Sequence, residues 1–131
     1  YTNVTVKKED DKLFTGVDIE DISRFENKTL ENDTHFLTKI YTQKELDYCF
    51  SKKLPAPHLA ARFCAKEAVI KALNSLNPKI TFSNIEILNH DTGAPYVVLH
   101  NIDLAVEISV SLSHDRDKAV AFAVAYKKDV V

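Results

Sequence analysis

Hydrophobic positions along the chain change period several times, and each change marks an element. Leu13, Thr15, Val17 and Ile19 alternate with Phe14, Gly16 and Asp18, which predicts a strand over 13–19 with Asp18 at its end. Directly afterwards Ile22, Phe25, Thr29 and Leu30 fall at helical spacing, with Asp18 or Asp21 placed to cap the first amides. Residues 1–7 alternate weakly and read as an edge strand or a disordered leader. Thr42-Gln43-Lys44-Glu45 fits a capping box, in which hydroxyl and carboxylate satisfy reciprocal backbone donors, and it opens a helical run through Phe50. Pro55 and Pro57 read as a stop between that helix and the longest one, about 58–76.

Beyond the long helix the period falls to two. Residues 80–82, 85–88 and 96–99 read as short strands, with HDTGAP (90–95) as a turn. Val106, Ile108, Val110 and Leu112 then alternate with Glu107, Ser109, Ser111 and Ser113, and the polar turn HDRDK leads into AVAFAVAY (119–126). In that last strand Val120, Phe122, Val124 and Tyr126 share one face. Ala119, Ala121, Ala123 and Ala125 form the other, small enough for a helix to approach closely. The predicted fold class is α+β, a mixed α/β domain in which an antiparallel sheet packs on one long helix.

Composition narrows the function. A chain of 131 residues, 45% apolar and 27% charged, supports one packed domain over 1–131 and excludes intrinsic disorder. Seventeen basic against nineteen acidic side chains leave no global positive field, so neither nucleic acid nor membrane is an expected partner and any phosphate must be held locally. No apolar run approaches the ~20 residues of a membrane span, and the first residues lack the apolar region of a secretory signal, so a cytoplasmic protein is expected. Cys49 and Cys64 have no metal-type spacing and read as reduced core residues. With glycine only at 16 and 93, a P-loop or dinucleotide fingerprint is excluded. Methionine is absent, which suggests a domain excised from a longer chain.

The long helix contains the main anomaly. Leu59, Phe63 and Ile70 cluster on one face with Ala60 and Cys64, and Glu67 falls inside that apolar arc. Burying an ionised carboxylate without a partner costs several kcal/mol, so Glu67 needs a raised pKa, a cation or water. One reading pairs it with Lys71 one turn on. Another joins it to Asp18, which otherwise reads as a helix cap, as two oxygen ligands for one hard divalent ion. Mg²⁺ characteristically takes one or two carboxylates and completes its shell with water and substrate phosphate. Arg62, Lys66 and Lys71 on the same helix, with His114 and Arg116 at a turn, suit such a substrate, although a solvated surface charge is the commoner reading of each basic residue alone.

GVDIEDISRFE (16–26) together with RFCAKEAVIKAL (62–73) resembles the paired signature of the holo-(acyl-carrier-protein) synthases, the short class of 4'-phosphopantetheinyl transferases. YTQKELDYC (41–49) and SLSH (111–114), followed by AVAFAVA (119–125), extend the similarity over about 12–126. The resemblance implies the 4'-phosphopantetheinyl transferase fold and a homotrimer whose active sites are shared across subunit boundaries. The small-residue face of the last strand is compatible with that assembly. It further implies Mg²⁺-dependent transfer of the phosphopantetheine arm of coenzyme A to a serine of an apo acyl carrier protein, releasing adenosine 3',5'-bisphosphate.

On that resemblance Asp18 and Glu67 hold the metal, Glu67 accepts the serine proton, and Lys71 neutralises pyrophosphate. Arg62, Lys66, Lys71, His114 and Pro95 contact coenzyme A, and Arg24 meets the acidic carrier. The chain departs from the family pattern in the glycine-free stretch 74–78, in Ala94 where a basic residue is usual, and in the acidic Glu26, Glu31 and Asp33. Alternatives are a transferase domain of a larger fatty acid or polyketide synthase, a Mg²⁺-dependent phosphohydrolase, and a non-catalytic binding module for coenzyme A or carrier.

Overall fold

Ala119, Ala121, Ala123 and Ala125 are all buried, because the longest helix lies directly on them. The computed structural model describes residues 12–128. In chain order it contains β1 (Leu13–Asp21), α1 (Thr34–Ile40), α2 (Gln43–Phe50), α3 (Pro55–Leu73), β2 (Ile85–Asn89), β3 (Pro95–Leu99), β4 (Val106–His114) and β5 (Lys118–Lys127). Short 3-10 turns occupy Ile22–Phe25 and Phe82–Asn84. The α+β class is as expected, with the antiparallel strands divided between a three-stranded sheet, in order β1-β5-β4, and a β2-β3 hairpin.

The register explains how closely helix and sheet approach. Gly16 lies opposite Ala123 and Asp18 opposite Ala121, so Phe14, Gly16 and Asp18 share the alanine face. A β-carbon on Gly16 would sit 2.0 Å from the Ala68 carbonyl oxygen and 2.9 Å from the Ala72 amide nitrogen of α3. Glycine is therefore required by proximity at this crossing. Gly16→Ala is expected to destabilise the fold by about 3 kcal/mol, the upper end of overpacking penalties, because only backbone can give way. A urea midpoint equal to that of the unmodified chain would show that the crossing is looser than described.

Several sequence expectations are corrected. β1 continues to Asp21, so Asp18 lies within the strand and caps nothing; Asp21 precedes the 3-10 turn without a side-chain cap bond. The helix expected after β1 shrinks to that turn, whose apolar Ile22 and Phe25 are buried, and regular helix resumes only at Thr34. Pro55 starts α3 instead of stopping its predecessor, since proline at the first helical position gives up only an amide that would be unpaired anyway. The expected strand at 80–82 is irregular backbone running into a 3-10 turn. The edge strand expected at 1–7 lies outside the described residues.

Other expectations hold. The Thr42 capping box forms with both of its bonds, starting α2. Cys49 and Cys64 are free and buried. Burial pushes the Cys49 thiol up to about 12 and the Cys64 thiol higher still, so both act as small core groups. Among the described residues no helix is long and apolar enough to cross a membrane.

The alanine face cannot serve between subunits, because α3 of the same chain already covers it. The opposite face is the open one. There Leu13, Val17 and Ile19 of β1 meet Tyr126, Phe122 and Val120 of β5 across the register. Ile19 remains 60% exposed and Phe122 46% exposed, an apolar surface with none of the described residues packed upon it.

Candidate active site

Side chains four residues apart on a helix form rows, and successive positions rotate by about 100°. Along α3 this gives one row of Phe63, Glu67 and Lys71, and a second of His58, Arg62 and Lys66. The rows face different neighbours and build different environments.

The first row faces β1. Lys71 Nζ donates to the Val17 carbonyl at 2.7 Å and to Asp18 Oδ1 at 3.3 Å, tying helix to strand next to the Gly16 crossing. Asp18 Oδ2 is buried and accepts no hydrogen bond. Glu67 is half-buried, and its carboxyl is held above the ordinary carboxylate range by burial first and by the Asp18 charge second, with Lys71 opposing. The Asp18 charge thus acts on Glu67, with Lys71 as the counter-charge between strand and helix.

Glu20 and Arg24 border this pair. Arg24 donates to Glu20 at 2.9 Å, and its guanidinium lies 4.8 Å from the centre of the Phe63 ring. Both charges act on Glu67, Glu20 raising and Arg24 lowering its proton affinity. Glu20 escaped sequence reading because the strand was expected to end before it; alternation carried through to Asp21 places it on the Asp18 face.

The second row faces α2 and the β2-β3 hairpin. Arg62 is almost fully buried, stacks 3.9 Å from the centre of the Tyr48 ring, and donates to the Asn89 side-chain oxygen. Asn89 in turn donates to the Gly93 carbonyl at 2.8 Å and pairs with Pro95 across the hairpin, so Arg62 and Pro95 belong to one cluster. His114, the last residue of β4, lies 6.1 Å ring to ring from His58. His58, Tyr48 and Asn89 were not anticipated, although His58 stands one turn before Arg62.

Lys66 joins neither cluster, which corrects the expectation that it contacts coenzyme A. Its side chain has no exposure, and its ammonium pairs with the equally buried Glu45 at 2.6 Å and donates to the Ile40 carbonyl. Burial lowers its proton affinity while Glu45 opposes that effect. A group sealed this way holds α2 against α3 and is out of reach of a solvent-borne phosphate.

Comparison with known proteins places these features in context. The profile of the 4'-phosphopantetheinyl transferase superfamily matches residues 15–125. The chain is 43% identical over 109 residues to the holo-(acyl-carrier-protein) synthase of Chlorobaculum parvum, covering 82% of this chain and 93% of that protein. It is 44% identical over 121 residues to that of Geotalea daltonii, covering 86% and 97%. Its fold is similar to the crystal structure of a holo-(acyl-carrier-protein) synthase from Bacillus anthracis in complex with CoA (3',5'-ADP). There the TM-score is 0.74 at 28% identity, over 88% of this chain and 96% of that one.

Proposed function

Because the chain belongs to the 4'-phosphopantetheinyl transferase superfamily, as a relative of the holo-(acyl-carrier-protein) synthases, we propose a division of labour among its residues in that reaction. It transfers the 4'-phosphopantetheine arm of coenzyme A to a serine hydroxyl of apo acyl carrier protein. The serine oxygen forms a bond to the phosphorus bearing pantetheine, the bond from that phosphorus to the bridging oxygen breaks, and adenosine 3',5'-bisphosphate leaves.

The observation that carries the reading is the Asp18, Glu67 and Lys71 cluster, with one buried carboxylate oxygen lacking a donor. Glu67, whose environment favours the protonated form, accepts the serine proton. Lys71 presents fixed positive charge to the pyrophosphate from a position braced on β1. Asp18 and Glu67 also fit a magnesium ion. The orphan oxygen of Asp18 and the charge pressing on Glu67 are what a hard divalent cation relieves, and two carboxylates match its preference. Such an ion, when bound, neutralises charge on the departing bisphosphate. Arg62, His114 and Pro95 form the coenzyme-binding group, and Arg24 offers its half-exposed guanidinium to the acidic carrier.

A homotrimer belongs to the same reading. The open apolar face of β1 and β5 supplies the contact, and an adjacent subunit brings its Arg62 cluster to each Asp18 cluster. Phe122→Lys is expected to reduce a particle of three chain masses to one in sedimentation analysis and to remove most transfer activity. A monomer in the unsubstituted protein would refute the assembly. A reducing, cytoplasmic location is consistent with the two free, buried cysteines.

Mass spectrometry of an apo carrier incubated with the protein, coenzyme A and magnesium tests the function. The carrier is expected to gain one phosphopantetheine arm. Cleavage of coenzyme A without modified carrier would indicate a hydrolase, and no chemistry at all would indicate a binding module.

A further inference from the structure

His58 has no part in the reaction as described, yet it stands among basic groups from three segments. On its own helix the basic neighbour is Arg62; from the region of α2 comes Lys52, beside the Tyr48 ring; from β4 comes His114. The Tyr48 ring gathers them. Arg62 lies 3.9 Å and Lys52 4.5 Å from its centre, and the His58 ring meets it edge-on at 5.9 Å. Arg62 also keeps a buried Nε without an acceptor. Cation–π contact with tyrosine offsets part of this crowding, but it supplies no counter-charge.

We propose that His58 is a further phosphate-recognition residue: standing edge-on to His114 among Arg62 and Lys52, it takes up a proton from solvent when a phosphate anion binds beside it. This rests on the reading that Arg62 and His114 bind coenzyme A, and it adds a residue and a proton to that site. Before the anion arrives, partial burial and the charges of Arg62, Lys52 and His114 lower the proton affinity of His58 and favour its neutral form. A phosphate brings negative charge to the same place, reverses the sign of the local field and favours imidazolium at His58. The anion is then bound more tightly as pH falls. A site built from lysine and arginine alone would lack that dependence, because neither titrates there.

Long-range proton–nitrogen NMR of the imidazoles tests this on the unsubstituted protein, with adenosine 3',5'-bisphosphate as probe. The expected result is that His58 titrates low in the free protein and moves up when the probe saturates, while the His114 ring signals also respond to the probe. Movement of His114 with no change at His58 overturns the inference and leaves the coenzyme site standing. Absence of any response to the probe overturns the coenzyme site itself, and the inference with it.

A second measurement compares probe affinity between pH 8 and pH 6 in the unsubstituted protein, His58→Phe and His58→Gln. The unsubstituted protein is expected to gain several-fold more affinity than either variant, with about tenfold as the ceiling for a one-unit shift. The probe's own phosphate protonation enters all three slopes equally and cancels. Identical slopes in all three proteins would remove His58 from recognition.

Discussion

Replacing Glu67 by glutamine is expected to leave the protein folded and to lower carrier modification by roughly 10² to 10⁴-fold, the range that a positioned general base contributes. The substitution keeps shape and removes only the ability to carry negative charge. Stability is expected to rise slightly at neutral pH. Glu67 is an acid whose folded-state proton affinity is raised, so ionisation imposes a penalty on the fold. The penalty is absent below the ordinary glutamate range, where both states are protonated, and complete once pH exceeds the raised value. Glutamine abolishes it. Asp18→Asn removes the charge that presses on Glu67 and is expected to cost activity on a similar scale. The measurements are initial rates of carrier modification and urea midpoints at two pH values. Near-normal rates in either variant would exclude that carboxylate from the chemistry.

Lys66→Met is expected to destabilise the fold by about 3 to 5 kcal/mol, the cost of removing one partner from a buried ion pair. Glu45 would keep its bonds from the Thr42 and Ile87 amides, at 2.7 and 2.8 Å, but would retain a full charge at zero exposure. For a domain with the usual 5 to 15 kcal/mol of stability, such a loss is readily seen in a denaturant midpoint. Adding Glu45→Gln should restore part of the loss, since the uncompensated charge disappears and the two sites are in contact. A phosphate-binding role for Lys66 predicts the opposite pattern: an unchanged midpoint and a raised KM for coenzyme A.

These two residues lie side by side in the sequence, and they mark how far sequence alone reaches. Glu67 was legible because helical periodicity put a carboxylate inside an apolar arc, a conflict that local rules do not resolve. Lys66 was misread because a lysine beside that carboxylate looks the same whether it points to solvent or into the core. Its direction depends on Glu45, twenty-one positions earlier on another helix. His58 and Asn89 were passed over for the same reason. A half-buried histidine and a hairpin asparagine acquire meaning only through Tyr48, Arg62 and His114, which the fold brings to them.

The chain by itself determined the strand alternation, the Thr42 capping box, the alanine face of the last strand and the misplaced carboxylate of Glu67, because each follows from a period of two or 3.6 or from one cap. Tertiary packing decided how closely α3 approaches the sheet, where the first strand ends, and that Lys66 turns into the core while Lys71 reaches β1. Those outcomes turn on contacts between segments tens of residues apart, such as the Gly16 crossing on Ala68, and no local pattern encodes them.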